Sequence, residues 1–394
     1  MKKINKSKSL RILLMIDFSE AFGRDIIKGI SDYAKQSGYW SLCRMPLQYR
    51  EKHGIKGVLR WAKQWKADGI VAQVGQSSEI EQIKKSGIPF IVHDLENRNS
   101  GITYLSGNYI KTGQMAADYF IKKGFKHLAY YGFSNIFSSR ERLKGFMENA
   151  NKHSIKVHTF LSSTKNINEN ELWYYRQSPL TKWLKSLPKP IALFAFDDNQ
   201  ALYISEACRL AEIKVPDEVS ILGVDNDETI CLLSNPPLSS IVVNAIQGGV
   251  HAAKAMELMI TKKKSHSDII NEPTHIITRQ STDINAVDDP IIKTSIYFIH
   301  KNIAQKILVS DILKIVPISR RMLEIRFKET TGKTIKDFID HTRIEQVVRL
   351  LSDSKLPISE IAYQCGFNDN HNLSRLFVKY RKMSPLEYRK RIQS

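Results

Sequence analysis

Apolar runs of six or seven residues alternate along most of the chain with segments whose apolar residues recur every three or four positions. The runs are RILLMI from Arg11, GIVAQV from Gly69, IPFIVHD from Ile88, HLAYYGF from His127, PIALFAF from Pro190 and VSILGVD from Val219. Runs of this length that are apolar on both faces suit strands buried between two layers of helices. The helical pattern fills the segments between them, such as residues 24–36, 113–122 and 199–211. The alternation predicts an α/β fold with parallel, doubly wound sheets.

These elements are too many for one compact sheet, and 394 residues exceed an ordinary single core. The pattern offers a break near Asn108, so we expect two lobes joined by chain crossings. It ends with HIITRQSTD from His275, and the polar stretch that follows over residues 283–290 is typical of a linker. The predicted organisation is a two-lobed body over residues 1–284, a linker over residues 285–290 and a separate domain over residues 291–394.

The chain beyond the linker is almost entirely helical in pattern and contains two similar halves. The first reads LVSDILKIVPISRRMLEIRFKETTGKTI from Leu308, and the second reads LPISEIAYQCGFNDNHNLSRLFVKYRKMSPLEY from Leu356. Each half predicts a short amphipathic helix, a brief break and a second helix that carries Leu and Phe four positions apart. We expect these residues in the core; they are Leu323 with Phe327 and Leu373 with Phe377. The repeat predicts an all-α domain with two helix-turn-helix units.

Positive charge is concentrated in this helical part. Residues 290–394 hold 20 Lys and Arg against 10 Asp and Glu, a net charge of +10, whereas residues 1–289 hold 39 against 30, a net charge of +9. This distribution favours a polyanionic partner, although a basic solvated surface has the same composition. The helix-turn-helix pattern favours double-stranded DNA as that partner.

Several functional classes find no support in the sequence. The four cysteines, Cys43, Cys208, Cys231 and Cys365, lie far apart without metal-ligand spacing, so we expect reduced thiols and no metal or other cofactor. No phosphate-binding glycine loop, GxSxG elbow or HExxH helix points to an enzyme. The apolar stretch over residues 10–16 is too short for a secretory signal, and no segment is long enough to span a bilayer. These features favour a cytoplasmic protein.

The two helix-turn-helix halves resemble the AraC/XylS-type DNA-binding domain, in which two such units are joined by a long helix. The matching motifs are IAYQCGFND, NLSRLFVKY and SPLEYR. The joining helix would span residues 335–351. Its buried side would carry Ile339, Ile344, Val347, Val348 and Leu351.

The resemblance implies that the second helix of each unit enters the major groove of DNA. By position in the family motif, the base-contacting residues would be Arg321, Glu324 and Ile325 in the first unit and Asn370, His371, Ser374 and Arg375 in the second. Phosphate contacts are expected from Arg320, Lys328, Lys379, Arg381 and Lys382. A solvated helix face is the alternative for any one of these charges. Pro317 stands where the family commonly has a turn glycine, so the turn of the first unit is expected to differ.

The body resembles the ligand-binding domain of LacI-type repressors, which is similar to periplasmic sugar-binding proteins. The matching pieces are RLKGF from Arg142, FAFDDNQAL from Phe194, VPDEVSILGVDND from Val215 and LSSIVVN from Leu238. A sugar site needs charged partners for hydroxyls and an aromatic ring for a sugar face. The resemblance implies ligand contacts from Arg142, Asp197 and Asp225.

Two further ligand contacts are expected from Phe22 and Arg24, after the first strand, although Phe22 is equally typical of ordinary core. A surface ion pair is the alternative for Arg142, and a helix cap is the alternative for Asp225. We expect Asp198 to be the N-cap of the next helix. Gly107 stands where the family often has an aspartate, so the pattern of sugar hydroxyls recognised is expected to differ.

Together the two resemblances imply a sugar-responsive DNA-binding transcription regulator. The expected role is activation of genes for the catabolism of a sugar, xylose or a similar pentose. A monosaccharide effector, operator DNA and a second copy of the chain are the expected partners, with RNA polymerase as a further candidate. Two other functions compete: a glycosidase that uses Asp197 and Asp225, and a sugar-binding transport component. The basic helical domain favours the regulator over both.

Overall fold

The computed structural model describes residues 9–74, 77–93, 101–163, 177–262, 267–283, 289–354 and 356–393. The strands are β1 (Leu10–Met15), β2 (Trp40–Arg44), β3 (Gly69–Gln73), β4 (Phe90–His93), β5 (Thr103–Gly107), β6 (Leu128–Phe133), β7 (Val157–Ser162), β8 (Ile191–Ala195), β9 (Val219–Val224), β10 (Ser239–Val243), β11 (Ile269–Asn271) and β12 (Pro273–Ile277). The helices of the body are α1 (Ala21–Ser37), α2 (Leu47–Trp65), α3 (Ser77–Lys85), α4 (Tyr109–Lys122), α5 (Phe137–Lys152), α6 (Gln177–Ser186), α7 (Asp198–Leu210), α8 (Glu228–Leu233) and α9 (Ala245–Lys262).

The strands form two six-stranded sheets, one in each lobe. The first has the order β11-β5-β4-β3-β1-β2 and is parallel throughout. The second has the order β12-β10-β9-β8-β6-β7, in which only β12 runs antiparallel to its neighbour. The chain crosses between the lobes after β5, after β10 and after β11. The two predicted lobes are confirmed, and the break predicted near Asn108 coincides with the first crossing.

Alternate residues of each central strand enter different cores. On β1, Leu13 and Met15 pack with residues of α2 and α3, whereas Ile12 and Leu14 pack with residues of α1 and α9. Successive side chains of a strand point to opposite faces of the sheet, so helices on both faces require apolar residues at every position. This is why the central strands read as continuous apolar runs in the sequence.

The C-terminal domain is helical, as predicted. Its helices are α10 (Pro290–Lys301), α11 (Val309–Leu313), α12 (Arg320–Thr331), α13 (Ile335–Asp353), α14 (Ile358–Gln364), α15 (Asn370–Arg381) and α16 (Pro385–Gln393). One core includes Leu323 and Phe327, and a second includes Leu373 and Phe377; all four side chains are 0% exposed. The predicted core pairs are therefore confirmed.

The long helix α13 belongs to both cores of this domain. Its first turns contribute Ile335 and Ile339 to the first core, and its second half contributes Ile344, Val347 and Leu351 to the second. The predicted joining helix is confirmed, and it connects the two helix-turn-helix units as one continuous element.

Residues 285–288 of the predicted linker lie outside the described residues. Asp289 is the N-cap of α10 and accepts a hydrogen bond from the Ile291 amide at 3.0 Å, so Pro290 is the first helical residue. Asp289 also pairs with Arg326 of α12 at 2.6 Å. The start of α10 is thus tied to the helical domain, while the exact domain limits stay a prediction.

Helices α4 and α5 of the second lobe approach each other through glycines. A Cβ atom on Gly145 would lie 2.0 Å from the Ile110 carbonyl oxygen, and one on Gly113 would lie 2.0 Å from the Arg142 carbonyl oxygen. Both obstacles are backbone atoms, which cannot move without shifting a helix. This close approach fixes the position of Arg142 on α5.

We expect Gly145→Ala to destabilise the protein by about 1–3 kcal/mol, because the added methyl group forces α4 and α5 apart. The exposed neighbour Lys144 provides a matched control, since Lys144→Ala should change the free energy of unfolding by less than about 0.5 kcal/mol. Urea denaturation followed by circular dichroism measures both. Equal stability of the two variants would contradict the close packing of these helices.

Candidate functional site

Polar residues of both lobes follow the carboxyl ends of their parallel strands, where ligands bind in open α/β sheets. Asp17 comes shortly after β1 of the first lobe. In the second lobe Asp197 follows β8 and Asp225 directly follows β9. The two sheets therefore present carboxylates to the cleft between the lobes.

Arg142 is the central cation of the second lobe, and its side chain is only 5% exposed. Its Nη1 donates a hydrogen bond to the Phe196 carbonyl oxygen, and its Nη2 lies 3.7 Å from Asp225 Oδ1. The guanidinium group lies over two aromatic rings, 4.9 Å from the centroid of Phe196 and 5.5 Å from that of Tyr109. A charge this deeply buried needs such compensation. The structure thus brings Arg142 and Asp225 together, and their contact with a ligand stays a prediction.

The backbone around Asp225 is held in an uncommon conformation. Asp225 and Asn226 have φ values of 91° and 50°, in the left-handed region. The layer beneath fixes this turn, because the Asp227 amide donates to Asp198 Oδ2 at 2.7 Å and the Asn226 amide donates to Ser240 Oγ at 3.0 Å. The position of the Asp225 carboxylate is therefore set in advance by the fold.

The prediction that Asp198 caps α7 is wrong. The N-cap is Asp197, which accepts a hydrogen bond from the Gln200 amide at 2.7 Å. Asp198 is the first helical residue and is only 2% exposed, because it turns inward to hold the Asp227 amide. Burial raises the pKa of Asp197 to about 7 against the opposing effect of the Gln200 hydrogen bond, and burial raises the pKa of Asp198 well above its usual range. Asp197 keeps its place at the cleft edge, with a second, structural role.

Two polar contacts bridge the lobes across the cleft. Arg24 of α1 forms an ion pair with Asp227 of the second lobe. The Asn199 amide group of the second lobe donates to Glu20 Oε2 of the first at 2.8 Å. Arg24 also donates to the Ser19 carbonyl oxygen at 2.6 Å. Sequence reasoning placed Arg24 against a sugar hydroxyl, whereas here its guanidinium connects the two lobes.

Phe22 also lies between the lobes. Its ring stacks on that of His93, with centroids 5.1 Å apart, and it packs against the hydrophobic cores of both lobes. The ring is half-buried. The core packing that the sequence left open is therefore present, and contact of this ring with a ligand stays a prediction.

A cavity of about 630 Å³ opens in the cleft beside this cluster. It is lined by the carboxyl ends of β1, β2 and β3 and by the segment that leads into α5; polar lining residues include Asp17, Arg44, Arg50, Gln73 and Asn135. None of the five ligand residues predicted from the sequence lines it. The cavity adjoins the residues around Arg142 through Phe137. The ring centroids of Phe137 and Tyr109 are 6.2 Å apart, and the Tyr109 ring lies under the Arg142 guanidinium group.

The cavity residues were missed by sequence reasoning, although one signal for them was present. Asp17 follows an apolar strand in the same way as Asp197 and Asp225, so the strand-end rule applied to β1 would have found it. Arg44 and Arg50 carried no such signal, because they belong to an edge strand and to the helix after it.

The second helix of the first helix-turn-helix unit, α12, has one buried and one exposed face. Its exposed residues include all of the DNA contacts that were predicted for this first unit, which are Arg320, Arg321, Glu324, Ile325 and Lys328. Arg320 Nε lies 2.9 Å from Glu324 Oε1, an ion pair one turn apart on the solvent side. The predicted contacts therefore share one accessible surface.

The corresponding helix of the second unit, α15, begins after Asp369, which accepts a hydrogen bond from the Asn372 amide at 2.7 Å. The exposed predicted contacts on it are Asn370, His371, Arg375 and Lys379, and Ser374 is half-buried. Lys379 Nζ lies 3.9 Å from Asp337. Lys382 is exposed at the C-terminal end. Arg381 differs, because it binds both carboxylate oxygens of Glu345 at 2.7 and 2.8 Å, which holds it within the domain.

The turns of the two units differ, as Pro317 indicated. In the second unit Gly366 has a φ of 73°, and the Phe367 amide donates to the Ala362 carbonyl oxygen at 2.9 Å. In the first unit the Ile318 amide donates to the Val316 carbonyl oxygen at 3.0 Å, across Pro317. The first unit thus turns tightly about proline without a left-handed residue.

Both parts of the chain are similar to known protein families. The family of periplasmic binding protein-like domains matches residues 117–282, and a helix-turn-helix domain family matches residues 312–391. Xylose operon regulatory proteins of Haemophilus influenzae and Escherichia coli K12 are each 27% identical to this chain, covering 96% and 97% of it and 98% and 97% of their own lengths. The protein is a transcription regulator with a periplasmic binding protein-like receptor.

Solved structures agree with this arrangement. The structure of a xylose-binding transcription activator is 25% identical, covers 98% of both chains and superposes with a TM-score of 0.61. A LacI family regulator of Enterococcus faecium, solved with bound ribose, covers 70% of this regulator and 98% of its own chain at 19% identity and a TM-score of 0.56, and shows the fold of the receptor part. Among the described residues of the regulator, no helix has the length and apolar character needed to cross a membrane.

The exposed face of α15 generates a test of base reading. We expect Arg375→Ala to weaken binding to operator DNA by about 1–3 kcal/mol more than binding to random DNA, because a guanidinium group can pair with a guanine edge. Lys379→Ala should weaken binding to both DNAs alike, since a phosphate contact carries no sequence information. Fluorescence anisotropy at several salt concentrations measures both variants. Equal losses on the two DNAs for Arg375→Ala would remove it from the base-reading residues.

Proposed function

We propose that this regulator activates genes for sugar catabolism in response to xylose or a similar pentose bound between its lobes. The observation that carries the proposal is similarity over the whole chain, with both domains in the same order, to proteins named for the xylose operon. The cleft supports it, since the buried Arg142 and Asp225 supply the charged partners that sugar hydroxyls require.

The sugar site that we propose joins the predicted cluster to the adjoining cavity. Arg142, Asp197 and Asp225 bind hydroxyl groups from the side of the second lobe, and Phe22 contacts an apolar sugar face. The cavity is about 630 Å³, within the range of small-molecule sites. The fixed turn around Asp225 supports this assignment, because a carboxylate already in place costs little further ordering on binding.

Sugar binding is proposed to act by changing how the lobes meet. A ligand shifts such an equilibrium only by its differential affinity for the two arrangements. The Arg24–Asp227 and Glu20–Asn199 contacts cross the same cleft, so a sugar that engages the neighbouring groups alters the balance between open and closed lobes. In this proposal Arg24 has a dual role, as a ligand contact and as a bridge.

The movement reaches DNA through the second lobe. Lys293 of α10 pairs with Asp217 of that lobe at 2.8 Å, and His300 of α10 lies 3.7 Å from Asp283 after β12, so the helical domain contacts this lobe. We propose that α12 and α15 enter successive stretches of the major groove, and that a homodimer places two such domains on repeated half-sites. We also propose that the receptor part ends at residue 284 and that the DNA-binding domain begins at residue 291. The proposed location is the cytoplasm, and RNA polymerase is a proposed further partner.

The role of Asp225 can be tested by Asp225→Asn, which keeps the size of the side chain and tolerates the left-handed backbone. We expect sugar affinity to fall roughly 10- to 150-fold, since a charge-assisted hydrogen bond contributes about 1.5–3 kcal/mol. DNA binding without sugar should be unchanged. Calorimetry with xylose, arabinose, ribose and glucose, paired with a reporter titration, measures these effects.

Glu212→Gln is the matched control, because Glu212 is an exposed carboxylate that also has a positive φ, of 60°. It should bind sugar and respond to it like the parent. Parent-like sugar binding by Asp225→Asn would place the ligand elsewhere. If the parent protein binds none of the four sugars, a pentose or hexose effector is contradicted.

A further inference from the structure

A second cavity, of about 970 Å³, lies between the second lobe and the helical domain. Helix α4, strand β12 and the segment after β12 form one wall. Helices α10, α13 and α16 contribute to the other. It is distinct from the cleft, because it shares no lining residue with the cleft cavity. The two parts of the chain that carry the separate functions therefore enclose a common space.

The cavity walls bring positive charges together from both domains. The second lobe contributes Lys122 and Lys123, and the helical domain contributes Lys333 and Arg381. Burial lowers the pKa of Lys333, with the facing charge of Lys122 acting in the same direction against Glu345 and Asp337. Positive side chains of both domains therefore line one space.

The acidic residues of the walls are engaged with other groups. Glu345 binds Arg381 in a bidentate pair and lies 3.6 Å from His341. Asp118 accepts a hydrogen bond from Asn149 at 2.6 Å, and Asp283 lies 3.7 Å from His300. Within the described part of the chain, no acidic group pairs directly with Lys122 or Lys333. The ammonium groups of Lys122 and Lys333 can therefore bind an anionic ligand.

The same walls carry features suited to a hydroxylated carbon skeleton. The buried Oε1 of Gln346 has no hydrogen-bond partner among the described residues, so it is available to accept a bond from a hydroxyl group. Phe338 and Tyr388 add aromatic surface to the lining. A bare anion would use the lysines alone, whereas a larger ligand with both an anionic end and hydroxyl groups would use all of these features.

We propose that this interdomain cavity binds a phosphorylated sugar, whose phosphate bridges Lys122 of the second lobe and Lys333 of the helical domain. Phosphate is the anion that best matches two facing ammonium groups, because its several oxygens accept charge-assisted hydrogen bonds from both. Binding links one lysine of each domain to the same phosphate, so it fixes the helical domain against the receptor. The regulator would then respond to a sugar in its cleft and to a sugar phosphate in this second site.

Calorimetry on the full-length protein, with glucose 6-phosphate as the probe, tests the proposal. All measurements use the Asp225→Asn background, in which any binding of the glucose moiety in the cleft is weakened. We expect glucose 6-phosphate to bind, and glucose at the same concentration to give no signal. Lys122→Gln with Lys333→Gln should weaken binding at least about tenfold, since each lysine contributes a charge-assisted hydrogen bond.

The control pair is Lys84→Gln with Lys85→Gln, which removes two exposed lysines at the end of α3 in the first lobe and should leave binding unchanged. Thermal unfolding without ligand adds a second readout. There the Lys122/Lys333 variant should melt within a few degrees of its background, because Lys122 is exposed and Lys333 is half-buried. If the double variant melts much lower, Lys122→Gln alone provides the test, because its side chain is exposed; unchanged glucose 6-phosphate affinity of that single variant would overturn the proposal.

Operator DNA is the competing source of phosphate, and a salt titration of DNA binding distinguishes it. If free sugar phosphate is the occupant, the Lys122/Lys333 variant keeps the salt dependence of its background. A shallower salt dependence together with unchanged glucose 6-phosphate affinity would assign the lysines to the DNA backbone and overturn the proposal. Absence of glucose 6-phosphate binding in the background protein would overturn it as well, while leaving the pentose cleft untouched.

Discussion

Arg142 carries its positive charge into a nearly dry part of the second lobe, and the cleft is arranged around its compensation. Taking an ion of this kind out of water costs several kcal/mol unless partners replace the lost hydration. Those partners are the Asp225 carboxylate, the Phe196 carbonyl oxygen and the faces of two aromatic rings. Asp225 is in turn held by a left-handed turn that Asp198 fixes from beneath. One buried cation thus requires a strand end, a turn and a helix start to occupy fixed places.

The apolar runs predicted most of the central strands and missed the edge strands, for a physical reason. The six apolar runs became β1, β3, β4, β6, β8 and β9, all of which have a neighbour on each side. Among the described residues the edge strands are β2, β7, β11 and β12, and none of the six apolar runs corresponds to one of them. An edge strand is partly open to solvent, as the alternately exposed residues of β7 show, so it does not need a continuous apolar run. The central strands β5 and β10 were missed because they bury polar residues, whose burial a sequence pattern does not reveal; these are Thr103 and Ser106 in β5 and Ser239 and Ser240 in β10.

The candidate site was predictable to the same degree. Positions that follow central strands, such as Asp197 and Asp225, could be located from the pattern, and the structure places them at the cleft. The role of each residue could not be predicted from the pattern. Which of the two neighbours Asp197 and Asp198 is the N-cap depends on the residue at which α7 begins. The contacts between lobes and between domains involve residues far apart in sequence, such as Arg24 with Asp227. Spacing along the chain carries no information about such pairs.

Helix α13 has a consequence for the geometry of the DNA that the protein reads. It is 19 residues long, which corresponds to about 28 Å, and it is built into the cores of both helix-turn-helix units. The two units therefore cannot slide or rotate independently, as they could on a flexible tether. The length of α13 is comparable with one turn of the double helix, about 34 Å. Helix α13 thus sets the distance between the two units, and in the proposed complex with DNA it sets the separation of the two base sequences that they read.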